Sequence, residues 1–199
     1  MADVALVCGG GGALGSAVAD ALRLRGDEVI VVDKDSVDLT DPDAVEVFWG
    51  RLAETPRWVV NAAGGFRPGT VADSEPADVR FLSDLNLSTA WWSCRAAARR
   101  LPAGGAIVNV AARAALSGGA GSAGYAVSKA AVVRLTQVLA LELAERRVRV
   151  NAIVPALIDT PANRAAGITG GTPPAEIADA VAFLLSDAAS AVSGAVVPV

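Results

Sequence analysis

A doubly wound α/β sheet in one domain is the fold this sequence predicts. Short apolar runs alternate with longer segments of helical periodicity, glycine-rich turns join them, and 53% of the 199 residues are hydrophobic. Apolar runs without polar alternation read as strands buried on both faces. Strands alternating with helices imply a parallel sheet with crossover helices on each side. The length suits one domain with a substantial core, and no repeat, linker or low-complexity tract divides it.

Each element follows in order. Val4–Cys8 is an apolar run stopped by four glycines. From Ala13 to about Arg25, Leu14, Val18, Ala21 and Leu22 recur at helical spacing, and Gly26 is a natural stop. Glu28–Val32 is a second strand, and Val37–Leu39 is expected as a very short third. Asp41 caps a helix with Pro42 in its first position, running to about Ala53. Trp58–Val60 leads into Asn61-Ala-Ala-Gly-Gly65, and a long helix is expected from about Ala77 to Leu101. Ala106–Val110, a helix from Ser122 to Glu145, and Val148–Val154 before Pro155 continue the alternation. A helix from Pro174 to Ser186 and a strand at Ala195–Val197 close the chain.

Composition removes several chemistries. There is no histidine, and the two cysteines, Cys8 and Cys94, lie in apolar segments without metal-ligand spacing. Zinc sites, Ser-His-Asp triads and Cys-His pairs are therefore excluded, and no metal is expected. A net charge of −4 argues against nucleic acid or an anionic membrane as partner. The N-terminus lacks a signal-peptide pattern and no apolar run reaches membrane-span length, so a cytoplasmic protein with a small-molecule substrate is the expectation.

Gly9 to Gly15 holds Gly10-x-Gly12-x-x-Gly15 between a strand and a helix. Glycines there let the backbone approach a pyrophosphate at the positive end of the helix, as in a Rossmann-type dinucleotide fold. Asp33 closes the second strand 18 residues after Gly15, placed to accept from both adenosine ribose hydroxyls and to repel a 2′-phosphate. NAD(H) is favoured. Lys34 is the one nearby residue able to offset that charge, so NADP(H) stays open.

The chain's one tyrosine, Tyr125, stands four residues before Lys129, one of two lysines, so phenol and ammonium share a helix face. A cation beside a phenol lowers its pKa, and a phenol so tuned can pass a proton to substrate.

Together these segments resemble the short-chain dehydrogenase/reductase family over nearly the whole chain. The markers are the glycine loop, Asp38-Leu39, Asn61-Ala62-Ala63-Gly64, Asn86, Tyr125-x-x-x-Lys129 and the run from Pro155 to Thr160. The resemblance implies a cofactor site that includes Gly9, Gly12, Ala13 and Leu14, with Asp38 and Leu39 over the adenine and Asn61–Gly64 along the ribose. Ile158, through its backbone, and Thr160 would hold the nicotinamide carboxamide, and Pro155 would belong to the same cofactor site. Tyr125 and Lys129 would be catalytic, the lysine binding ribose and depressing the tyrosine pKa, with Asn86 supporting a water relay.

The family serine position, 13 residues before the tyrosine, is Ala112, and the penultimate loop glycine is Ala13. Both features resemble the dihydropteridine reductase branch, in which an aromatic residue at the place of Phe66 stacks on a pterin. Phe66, Ala112 and Tyr125 are thus the candidate substrate-binding residues. Losing the serine hydroxyl removes support for charge on a carbonyl oxygen, so a quinonoid ring is expected ahead of a ketone. Rival readings are a non-redox member (cyclase, epimerase or dehydratase) and a dinucleotide-binding sensor. A homodimer, or a tetramer built from it, is expected through the helices of Asn86–Arg100 and Tyr125–Glu145, which carry more apolar residues than one buried stripe needs. Only Ala165 to Pro173 stands where a substrate lid would be, so an open pocket is expected.

Overall fold

The computed structural model describes residues 2–199. Strands β1 (Val4–Cys8), β2 (Glu28–Val32), β3 (Trp58–Asn61), β4 (Ala106–Val110), β5 (Arg149–Val154) and β6 (Val196–Pro198) form one sheet in the order β2-β1-β3-β4-β5-β6. Every pairing is parallel. The chain winds outward from β1 to β2, then returns past β1 to β3, so the winding reverses between β1 and β3. Open α/β sheets bind ligands beyond the carboxyl ends of their strands at such a reversal.

Alternating side chains feed two cores. On one face, Val7, Val60 and Val108 meet Leu14, Val18 and Leu22 of α1 (Ala13–Arg25) and Ile177 and Val181 of α8 (Pro174–Leu185). On the other, Leu6, Val59 and Ile107 meet Val45 and Trp49 of α2 (Pro42–Gly50), Ala97 of α4 (Thr89–Arg100) and Leu139 of α6 (Ala123–Glu142). The boundaries have local causes. Gly26 ends α1 at φ 101°, its N–H capping Leu22 and Arg23 carbonyls, and Asp41 opens α2 by accepting from Asp43 N at 2.8 Å.

Three expectations need correction. Val37–Leu39 is not a strand: Ser36 and Val37 N–H groups turn back onto Asp33 O, so the segment folds as a turn and β2 is left at the sheet edge. Helix α2 stops at Gly50 rather than Ala53, where Arg51 and Leu52 close a turn onto Phe48 and Trp49. The expected 77–101 helix is α3 (Pro76–Ser83) and α4 joined by one π-helical turn, Asp84–Ser88. Such turns cluster at functional sites. Two further short helices, α5 (Ala114–Ser117) and α7 (Pro161–Ala165), carry no strong periodicity in the sequence.

Among the described residues no helix is long and apolar enough to cross a membrane. Trp91 on α4 is 47% exposed while its neighbour Trp92 packs on the core, and Val138 and Leu141 of α6 are also exposed. A groove of about 590 Å³ runs between the two helices, lined by Leu87, Trp91, Leu135 and Val138.

Candidate active site

A crevice of about 510 Å³ opens where β1 and β3 diverge, lined by Gly9, Gly11, Gly12, Asp33–Asp35, Val37–Thr40, Ala62–Gly64, Leu85 and Thr89. Its floor is made by backbone in close approach. Gly9 has φ 81°, and a Cβ there would overlap the Ala63 backbone. A Cβ on Gly64 would fall 2.8 Å from both Asn86 Oδ1 and Lys129 Nζ. The first N–H groups of α1 face the glycine loop without helical partners, a positive terminus suited to phosphate. These features fit a dinucleotide: glycine loop for the pyrophosphate, acids for the ribose, and a volume of ligand size. Among the described residues no cluster could hold a metal ion.

Asp33 lines this crevice and also fastens it, accepting from Gly11 N at 2.8 Å through Oδ2 and from Lys34 N at 2.7 Å through Oδ1. Asp38 is drawn into its own turn by Thr40, whose hydroxyl and N–H hold its carboxyl below the usual range. Leu39 is buried against the core beside it.

The catalytic candidates lie beyond Gly64. Lys129 is 4% exposed and donates from Nζ to Val110 O at 2.9 Å; burial lowers its pKa to about 8. Asn86, on the π-helical turn, clasps Gly65 from both sides, accepting from its N–H at 2.9 Å and donating to its carbonyl at 3.0 Å. It also donates to Ser128 Oγ at 3.1 Å, and Ser128 donates to Tyr125 O at 2.8 Å. The π-helical turn therefore fixes both the Ala-Gly-Gly segment and the start of α6. Ser128 was not singled out by sequence; its place three residues after Tyr125, on the same face, was the available signal.

Tyr125 departs from the sequence expectation. Burial raises its pKa, and the Lys129 ammonium makes its hydrogen bond to Val110 O rather than to the phenol. Among the described residues, the phenol Oη makes no hydrogen bond, and the ring meets Phe66 edge-on, centroids 5.1 Å apart at 81°. Ala112 is buried at the end of β4 and brings no hydroxyl.

Other expected cofactor residues do not line this crevice. The Asn61 side chain points into the core, donating to Asn109 Oδ1 at 2.8 Å and Cys94 Sγ at 3.3 Å, so it fastens β3 to β4 and α4 rather than lining the crevice. Its register partner across the sheet is Asn109 itself, which explains the inward amide. Leu14 is buried under α1, leaving only its backbone toward the loop. Ala13 is exposed on the first turn of α1, outside the crevice lining. Pro155 is buried after β5 and accepts from Arg113 N at 2.8 Å. Ile158 O accepts from Thr160 N and Asn163 Nδ2, and Thr160 caps α7 through Asn163 N at 3.1 Å, so this segment is a hydrogen-bonded turn into α7. The thiols of Cys8 and Cys94 are pushed up to about 11 and about 12 by burial, which makes both inert.

Residues 35–199 match a family model described as enoyl-(acyl carrier protein) reductase. The chain is 34% identical to galactitol 2-dehydrogenase of Rhizobium johnstonii, covering 98% of this chain and 92% of that protein. It is 32% identical to L-xylulose reductase of Bos taurus, covering 98% and 94%. Aldohexose dehydrogenase of Thermoplasma acidophilum superposes with TM-score 0.90 at 26% identity over 100% of this chain and 92% of that one. A short chain dehydrogenase from Burkholderia cenocepacia in complex with NADP superposes with TM-score 0.86 at 28% identity, over 99% and 96%.

Proposed function

The chain belongs to the short-chain dehydrogenase/reductase family, an NAD(P)H-dependent oxidoreductase by that membership, and we propose that it is an NADH-dependent reductase of a flat, electron-poor ring of the quinonoid pterin type. The observation that carries this reading is Tyr125: a half-buried phenol with its pKa raised, Oη unengaged, and an aromatic ring set edge-on beside it.

A phenol held neutral at physiological pH is a proton donor, the role a reduction requires. Bound in the crevice, the dinucleotide supplies the hydride. Gly9–Gly12 and the start of α1 would receive its pyrophosphate, and Asp33 its adenosine ribose. Lys129 Nζ sits beside Gly64, where it would bind a ribose hydroxyl and supply positive charge near Tyr125. Tyr125 then gives its Oη proton to the substrate and is reprotonated from solvent, so each turnover consumes one NADH and one proton per reduced substrate. Asn86 keeps Gly65 and α6 in place throughout. At Ala112 no hydroxyl is available to steady a carbonyl oxygen, which disfavours simple ketones relative to a ring already short of electrons.

The crevice mouth supports NADH: Asp33, Asp35 and Asp38 stand there against Lys34 alone. A ketone or secondary alcohol is the second reading, favoured by relatives named for galactitol and L-xylulose. NADH oxidation followed with quinonoid dihydropterin, quinones and small ketones separates the two; turnover confined to ketones sinks the ring reading. A homodimer through α4 and α6 is proposed from exposed Trp91, Val138 and Leu141 around the groove. Light scattering giving the monomer mass at micromolar concentration overturns it.

A further inference from the structure

Gly65 to Gly69 passes Tyr125 as a strap fastened at three points. Asn86 holds Gly65. At the other end, Gly69 N donates to Gly121 O at 2.8 Å and Gly69 O accepts from Ala123 N at 3.0 Å, stitching the strap to the segment that opens α6. Between them Arg67 reaches back to α3, where it pairs with Asp78 and its guanidinium lies 3.9 Å from the centre of the Phe81 ring. An exposed ion pair alone is a weak tether. The stacked guanidinium is a second contact of another kind, on the same helix.

Phe66 lies between these fastenings. It is 59% exposed, and its one aromatic neighbour among the described residues is Tyr125. A ring so open to water is not held by burial. Its orientation is set by the backbone it hangs from, and Arg67, the next residue, is among the described residues the only side chain of the strap held to a helix by an ion pair.

We propose that Arg67 is a positioning residue for the substrate: its grip on Asp78 and Phe81 fixes the strap, and the strap holds Phe66 edge-on to Tyr125, giving a flat substrate ring a preset surface. This rests on the reading of Phe66 as a substrate contact. Arg67 acts through Phe66, since it does not line the cofactor crevice.

Arg67→Met, Arg67→Lys and Phe66→Ala separate the links, with two readouts on the full-length protein. Amide hydrogen exchange at Gly65–Gly69 reports the strap without any substrate. KM and kcat with a quinonoid dihydropterin and with a small aliphatic ketone report the consequence. Arg67→Met is expected to speed exchange at Gly69 about tenfold. It should raise KM for the ring about fivefold, leave kcat and NADH affinity within about twofold, and leave ketone KM unchanged. Arg67→Lys should recover part of both effects, because it keeps the charge and loses the planar stack. Phe66→Ala should raise ring KM without altering exchange.

Unchanged exchange in Arg67→Met overturns the clamp, as does an equal rise in KM for both substrates. No turnover of the ring by the wild type, or a silent Phe66→Ala beside a loosened Arg67→Met, sinks the substrate reading and with it the positioning role. Loosened exchange in that case leaves Arg67 a structural tether only.

Discussion

The two halves of the site are built differently. The cofactor half is backbone: glycine turns pressed against the Ala62–Gly64 segment, one wall fastened by Asp33, and a helix terminus at the end. The proposed substrate half is side chain: Phe66 on the segment after Gly65 and Tyr125 on the first turn of α6, edge-on to one another. Backbone cradles tolerate almost no substitution and serve one kind of ligand, whereas side chains on loops can be exchanged singly. Fold and cofactor class are thus common property of such chains, while substrate choice is local.

The largest effect expected is on the substrate half. Tyr125→Phe removes the proposed proton donor and should cut kcat about 10²–10⁴-fold while NADH affinity, measured by fluorescence titration, stays within about twofold. Turnover near the wild-type rate would mean that water supplies the proton and that the halves are less distinct than described.

Gly9→Ala tests the other half. At φ 81°, with Ala63 backbone where the methyl must go, the loop has to open. Calorimetry should show loss of NADH binding and a destabilisation of a few kcal/mol. Intact binding would show that the cradle yields.

Lys129 belongs to both halves, and its pH behaviour sharpens the contrast. Its folded pKa of about 8 lies below the ordinary 10.5 because of burial. The unfolded chain therefore binds more protons between those values. The ammonium's cost is full below pH 8 and fades as pH rises toward 10.5. Lys129→Met should be more stable at pH 7, by on the order of 1–3 kcal/mol after allowing for the lost bond to Val110 O, and inactive. Thermal melts at pH 7 and pH 10 should show the gain shrinking. A destabilised variant at pH 7 would reverse the assignment of cost.

The smallest effect expected is cofactor choice. Asp33→Asn keeps an acceptor for Gly11 N and removes the charge, so NADH preference over NADPH should fall about tenfold, near 1.4 kcal/mol. Competitive titration of the two cofactors reads it, and an unchanged ratio would give the choice to Asp35 or Asp38.

The same division explains what could be read from the sequence. Gly26, Asp41-Pro42 and the glycine loop act through local backbone chemistry, and α1, β2 and the start of α2 lie where those residues put them. Tyr125 and Lys129 were legible as a helical pair, but the sign of the tyrosine shift was not, because burial depends on what packs around the ring. Asn61 stands in a segment that borders the crevice, yet its direction follows from strand alternation and from Asn109 on the neighbouring strand, a pairing 48 residues away. The π-helical turn at Asp84–Ser88 inserts no unusual residue and leaves no mark on the apolar period. Arg67 and Asp78 are two charges among many until the fold sets them together.

The nine residues between β2 and α2 replace any further strand beyond β2, and that edge carries a free row of backbone donors and acceptors. Architecturally, the sheet is growable on this side and closed to growth elsewhere in its interior. A helix and a parallel strand spliced in after Ser36 would meet an open ladder and a right-handed path, without cutting a single existing strand pairing. A splice between interior strands would have to break one. The end of the crevice resting on Val37 and Leu39 would then gain a taller wall from outside the original frame. Modularity of this kind lets one frame vary the depth of its crevice without touching Tyr125.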